Sequence, residues 1–146
     1  MWIRRNIWPI LPTVVPAGFI GVLYLLLFGY RGDYLGHYAA GFGATLAVLA
    51  ISVEKLPDNL FVQRCAGRVL LMTAGCIVAG AFAEATVFNI AKFDEVDFCN
   101  QSLGAILAGM GFLANLRGAK ADGDFFRAEC YAGLIALHLG FYFAMF

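Results

Sequence analysis

Charge is what this sequence has least of. Asp, Glu, Lys and Arg make up 14% of its 146 residues, against 62% hydrophobic residues. Ten basic and ten acidic side chains leave no net charge, so the totals give no electrostatic case for a nucleic-acid partner. A mean hydropathy of +0.79 excludes an ordinary water-soluble domain, in which about a quarter of residues are charged. At this length such a fold would leave much apolar surface in water, whereas a bilayer removes that cost. Catalytic signatures are missing as well. The chain has two histidines, and it contains no His-Glu-x-x-His, Gly-x-Ser-x-Gly or Cys-x-x-Cys. Cys65, Cys76, Cys99 and Cys130 sit in or beside apolar segments without metal-ligand spacing. Buried thiols of that kind behave as small hydrophobes. No cofactor, no metal and no catalytic residue is expected.

What is present is a succession of hydrophobic runs punctuated by charge. A membrane span needs about 20 mostly apolar residues. Five segments come near that, at about 13–29, 34–53, 69–90, 97–116 and 130–146. The expected fold is therefore all-α: one integral membrane bundle of about five transmembrane helices over residues 1–146. Pro9, Pro12 and Pro16 fall near the first helix start, where N–H groups lack internal partners anyway. The opening MWIRRNIWPILP is built like a signal peptide, but no small-residue cleavage site follows, so it reads as a retained span.

Basic residues set the orientation. Arg4, Arg5, Lys55, Arg64, Arg68, Arg117, Lys120 and Arg127 fall on one side of the spans, and only Arg31 and Lys92 on the other. The positive-inside rule then puts the N-terminus in the cytoplasm and the C-terminus outside, in a multi-pass protein of the cell (inner) membrane. Ala40/Ala44, Gly75/Ala79/Ala83 and Gly104/Ala108 place small side chains four apart, a spacing that lets helices pack closely in lipid.

With this topology the unexpected polar groups share one depth. Span two begins with Asp33 and His37, four apart and so on one helix face. Glu84 lies six residues before the end of span three, roughly 9 Å inside the apolar layer. Span four carries Asp94, Glu95, Asp97, Asn100 and Gln101 in its first turns. The inner half of the spans shows almost no such insertions. A charged group deep in a span costs on the order of 2.5–3.5 kcal/mol, so Glu84 must face the bundle interior, be protonated or find a partner, and His37 is a candidate. Asp33, His37, Glu84, Asp97, Asn100 and Gln101 are thus the candidate ligand-binding residues. Each has a plainer reading: Asp33, Asp94 or Asp97 as a helix cap, and Asn100 and Gln101 as interhelical glue. His138, midway along span five, is expected to be a satisfied core histidine. Arg31-Gly32-Asp33 spells an adhesion tripeptide but is wedged in a tight turn.

At these residues the chain resembles the VanZ-like family of small bacterial membrane proteins, and a related family of unknown function. Those proteins open one helix with Asp-Lys-x-x-His, end a later one with Glu, and open the next with Asp-x-x-x-Asn-x-x-Gly-x-x-x-Gly. Asp33 and His37 match the first element, with Tyr34 in place of lysine; Glu84 matches the second. Asp97 and Gly104 match the third, with Gln101 where asparagine is usual and Ala108 for the second glycine. The resemblance spans roughly residues 31–111. It implies a link to resistance against a lipid-bearing glycopeptide antibiotic, through the member that gives the family its name.

Three functions compete. The first is an outward-facing polar pocket that binds a lipid or glycolipid head group, or an amphiphilic compound. The second is an accessory structural subunit of a larger membrane protein complex, with the polar cluster as internal glue. The third, a membrane-embedded acid–base or metal-dependent enzyme, has no motif behind it.

Overall fold

The computed structural model describes residues 10–29, 31–54, 61–86, 93–118 and 123–145. They form five helices: α1 (Leu11–Leu27), α2 (Gly32–Glu54), α3 (Phe61–Thr86), α4 (Glu95–Gly118) and α5 (Gly123–Met145). Successive helices run up and down, so α2 and α4 begin at the same end, called here the upper end. The α1 helix stops where Gly29 takes a positive φ of 66°, the left-handed position that glycine fills without a Cβ penalty after a helix. The α4 helix starts where the Asp94 carboxylate accepts the N–H groups of Val96 and Asp97 at 2.8 and 3.2 Å, a side-chain N-cap.

Helix ends do not coincide with the apolar runs. α3 starts at Phe61 rather than near Val69, and α5 at Gly123 rather than near Cys130. An apolar run ends at the first charged side chain, whereas a helix continues through Arg64, Arg68 and Arg127, because arginine is a good helix former. Pro16 is inside α1, beyond the first turn, and so leaves the Pro12 carbonyl without its helical N–H. Residues 87–90 of the expected third span lie outside the described residues, as do Arg4, Arg5, Pro9, Lys55, Lys92 and Lys120.

The α2 helix is the axis of the bundle, packed along α5 and α4 and touching α1 and α3. Its seam with α5 is built from glycine. A Cβ on Gly133 would stand 2.7 Å from the Gly43 carbonyl oxygen and the Ala47 nitrogen, and one on Gly140 only 2.8 Å from the Gly36 carbonyl oxygen. Backbones this close gain dispersion contacts along their whole length, the main attraction between helices in lipid. Leu46, Leu49, Val53 and Phe112 fill the lower core, where Phe112 packs on Phe125 and Phe126 with ring centroids 6.0 and 6.4 Å apart.

The outside of the bundle is apolar. Leu27, Leu70, Val78, Phe82 and Ile135 are each more than three-fifths exposed, while Glu84, Asn100, Asn115 and Glu129 are buried. Two segments, Gly32–Val53 and Cys65–Thr86, are long and apolar enough to cross a membrane; the first is mostly covered by other helices and the second mostly bare. Of the expected small-residue stripes, Gly104 packs its Cα against the Tyr38 and Phe42 backbone, but nothing lies within 4 Å of a Cβ on Gly75. Gly75 and Ala79 are on the bare face of α3, so among the described residues these two make no close helix contact.

Candidate functional site at the upper end of the bundle

The upper site is built on a glycine crossing. Gly41 of α2 and Gly104 of α4 bring the two backbones into contact: a Cβ on Gly41 would run into the Gln101 backbone. One turn above that contact, His37 and Asp97 face each other, with Nε2 and Oδ2 3.4 Å apart and side chains 20% and 18% exposed. The Asp94 cap fixes the α4 start so that Asp97 points across to α2 and does not cap the helix itself.

The α3 helix joins through Gln101. Its side-chain amide lies on the bare Cα of Gly80, and Glu84, one turn further up α3, is 5% exposed and so turned into the bundle. Asn100 is also buried. Among the described residues no hydrogen bond or ion pair joins Glu84 to His37 or Asp97. The Asp97 Oδ1, the Asn100 Nδ2 and the Ser102 Oγ are buried without a hydrogen-bond partner, an unmet demand for one donor and two acceptors or bridging groups. Below Gly80 the α3–α4 seam opens into an apolar groove of about 270 Å³ lined by Val69, Thr73, Ile77, Ile106, Gly109 and Leu113, among others.

Asp33 does not join this site. Its carboxylate takes Arg31 Nε at 2.9 Å and also pairs with Arg31 Nη2, and the guanidinium lies 4.4 Å above the Tyr34 ring centroid. The hydrogen bonds to Asp33 push the Arg31 guanidinium further above its ordinary value, so it stays a cation. The Arg-Gly-Asp tripeptide is thus closed on itself. Of the six candidates, then, His37 and Asp97 meet directly, Gln101 and Glu84 line the α3 side, Asn100 is buried on α4, and Asp33 lies apart.

Two further expectations change. His138 is on the exposed face of α5, not in the core, because the covered face of α5 is the one bearing Gly133 and Gly140. Cys99 is exposed, while Cys65 is buried and Cys76 and Cys130 are half-buried. Among the described residues no group of three His, Cys, Asp or Glu side chains is placed to hold a metal ion.

The lower half is not free of polar groups, contrary to expectation. Glu129 of α5 is 0% exposed. Its Oε1 accepts Thr13 Oγ1 of α1 and Asn115 Nδ2 of α4, both at 2.9 Å, and Asn115 Nδ2 also reaches Thr13 Oγ1 at 3.2 Å. Glu129 follows Arg127 so closely that it reads as part of a polar connection, which is why the hydrophobic runs pass over it. Helical periodicity carries the missing signal: Glu129 is four residues before Gly133 and eleven before Gly140, and Asn115 four after Gly111 and eleven after Gly104. Both extend a small-residue face that packs inward. No family model, no curated protein and no solved structure matches this chain.

Proposed function

We propose that the chain is a five-span protein of the cell membrane, N-terminus cytoplasmic and C-terminus outside, whose upper site opens outward and binds an amphiphile. The head group of a lipid, a glycolipid or a related compound would sit at His37, Asp97, Asn100 and Gln101, with its chain along the α3–α4 groove. The observation that carries the reading is the set of unpartnered buried atoms beside the His37–Asp97 pair, the Asp97 Oδ1 and Asn100 Nδ2. A hydroxyl of the head group can donate to the Asp97 carboxylate and accept from the Asn100 amide, while an ammonium could serve the carboxylate alone, through the stronger charge-assisted bond. The apolar exterior and the inward polar side chains support the membrane setting, since a water-soluble monomer rarely exposes apolar surface on this scale. The resemblance to VanZ-like proteins is part of this proposal and rests on the same residues.

The test is co-purification in mild detergent followed by mass spectrometry of retained lipids. Wild type is expected to keep one lipid class in defined stoichiometry that His37→Ala and Asp97→Asn lose while remaining folded. Identical lipid profiles in all three would end the binding reading.

One observation favours the accessory-subunit reading as a second choice. The α3 face with Leu71, Gly75, Val78 and Phe82 is bare, and unpacked small residues suit a neighbouring helix. Cross-linking in intact membranes from cysteine placed at Gly75 would trap a partner chain; a lone chain there removes this alternative.

A further inference from the structure

Glu129 stands apart from the upper site and has no part in amphiphile binding. Both donors that reach it, Thr13 from α1 and Asn115 from α4, converge on Oε1, and neither titrates. Its second oxygen, Oε2, is buried with no partner. No charged group of the described residues acts on this carboxyl. On its own helix, Asp124 and Arg127 are 3.7 Å apart and paired at the surface, and the next residue, Cys130, is a half-buried free thiol. On α3, the Arg68 guanidinium bears on the Cys65 thiol, and the Arg64 side chain, like that of Arg117 on α4, lies outside the described residues. On α2, the Ser52 hydroxyl is spent on the Val48 carbonyl, and the Glu54 side chain lies outside the described residues.

A carboxylate buried without a cation is far more costly than a buried neutral acid with one unmet hydrogen bond. Two donors on a single oxygen leave the other as the place for the neutralising charge. We propose that Thr13, Asn115 and Glu129 form a buried binding site for one small cation, and that this cation is a proton carried on Glu129 Oε2. The proton holds α1, α4 and α5 together at the lower end of the bundle; its release leaves a bare anion at their junction and loosens it.

Linkage sets the sign. A native state that keeps a proton which the unfolded chain gives up at about pH 4.3 loses stability as the pH rises above that value, until the native group is itself deprotonated. The experiment uses the full chain in detergent, with infrared spectroscopy of the carboxylic-acid carbonyl stretch and thermal unfolding from pH 5 upward. Wild type is expected to show a protonated-acid band at neutral pH that Glu129→Gln lacks. Its Tm should fall with rising pH while that of Glu129→Gln stays level, and exchanging Na⁺ or K⁺ for choline should change neither. Absence of any band difference at neutral pH would overturn the proposal. So would a Tm that follows Na⁺ or Li⁺ and ignores pH, the mark of a carboxylate holding an alkali ion. Should Glu129→Gln fail to fold, Thr13→Val takes its place. Removing a donor to the carboxylate moves the midpoint of the band to higher pH, and an unmoved midpoint counts against the site.

Discussion

Three aspartates at the upper end do different work because each meets a different neighbour first. Asp94 spends its carboxylate on two N–H groups of α4, Asp97 reaches His37 and Asp33 folds back on Arg31. Asp94→Ala is therefore expected to cost about 1 kcal/mol of stability, with Asp94→Asn close to wild type, as caps of these types rank; thermal or denaturant unfolding in detergent measures it. Asp33→Asn should change little, and less still at high salt, because its pair is exposed and screened. Glu84→Gln tests the third helix of the site. If Glu84 is only interhelical glue, the change should cost about 0.6 kcal/mol, the average for an intramembrane side-chain hydrogen bond, and leave lipid retention intact. Loss of retained lipid with unchanged unfolding would make Glu84 part of the head-group site.

Helix faces behave as units. The α2–α5 seam has no room for a Cβ at Gly43, Gly133 or Gly140, so Gly140→Leu must push two backbones apart. Overpacking of this kind costs typically 1–3 kcal/mol and sometimes more, and a sharp fall in Tm and in folded yield is expected. Gly75→Leu is the matched control on α3. With nothing within 4 Å of its Cβ, it should leave the isolated chain as stable as wild type. Loss of stability in Gly75→Leu alone would show that α3 packs differently from the arrangement described here.

For the molecule as a whole, aliphatic and aromatic side chains both fill the lower core and cover the outside, while Glu84, Asn100, Asn115 and Glu129 turn inward. Its topology has a direct test. Single cysteines replacing Lys92 and Lys120 in a chain with its four native cysteines removed should be labelled by an impermeant reagent from opposite sides, Lys92 from outside and Lys120 only after the membrane is opened. Labelling of the Lys92 position from the cytoplasmic side alone would invert the depth argument and the outward direction of the upper site.

Helix content and the positions of the apolar runs were determined by the sequence alone, because both follow from local hydropathy and periodicity. The depth shared by His37, Glu84 and Asp97 was legible for the same reason, since rise per residue turns position into height. Which way each side chain turns was decided only by the tertiary structure. Asp33 and His37 share a helix face, yet Arg31 captures the first, and α4 meets the second. Glu129 and His138 lie on one helix, and their fates are the reverse of what their sequence neighbours suggest. Glu129 follows an arginine and is wholly buried; His138 is surrounded by apolar residues and faces outward. The physical reason is that α5 is anchored by glycines at 133 and 140. Close backbone approach on that face sets the rotation of the whole helix, and every other side chain follows from it.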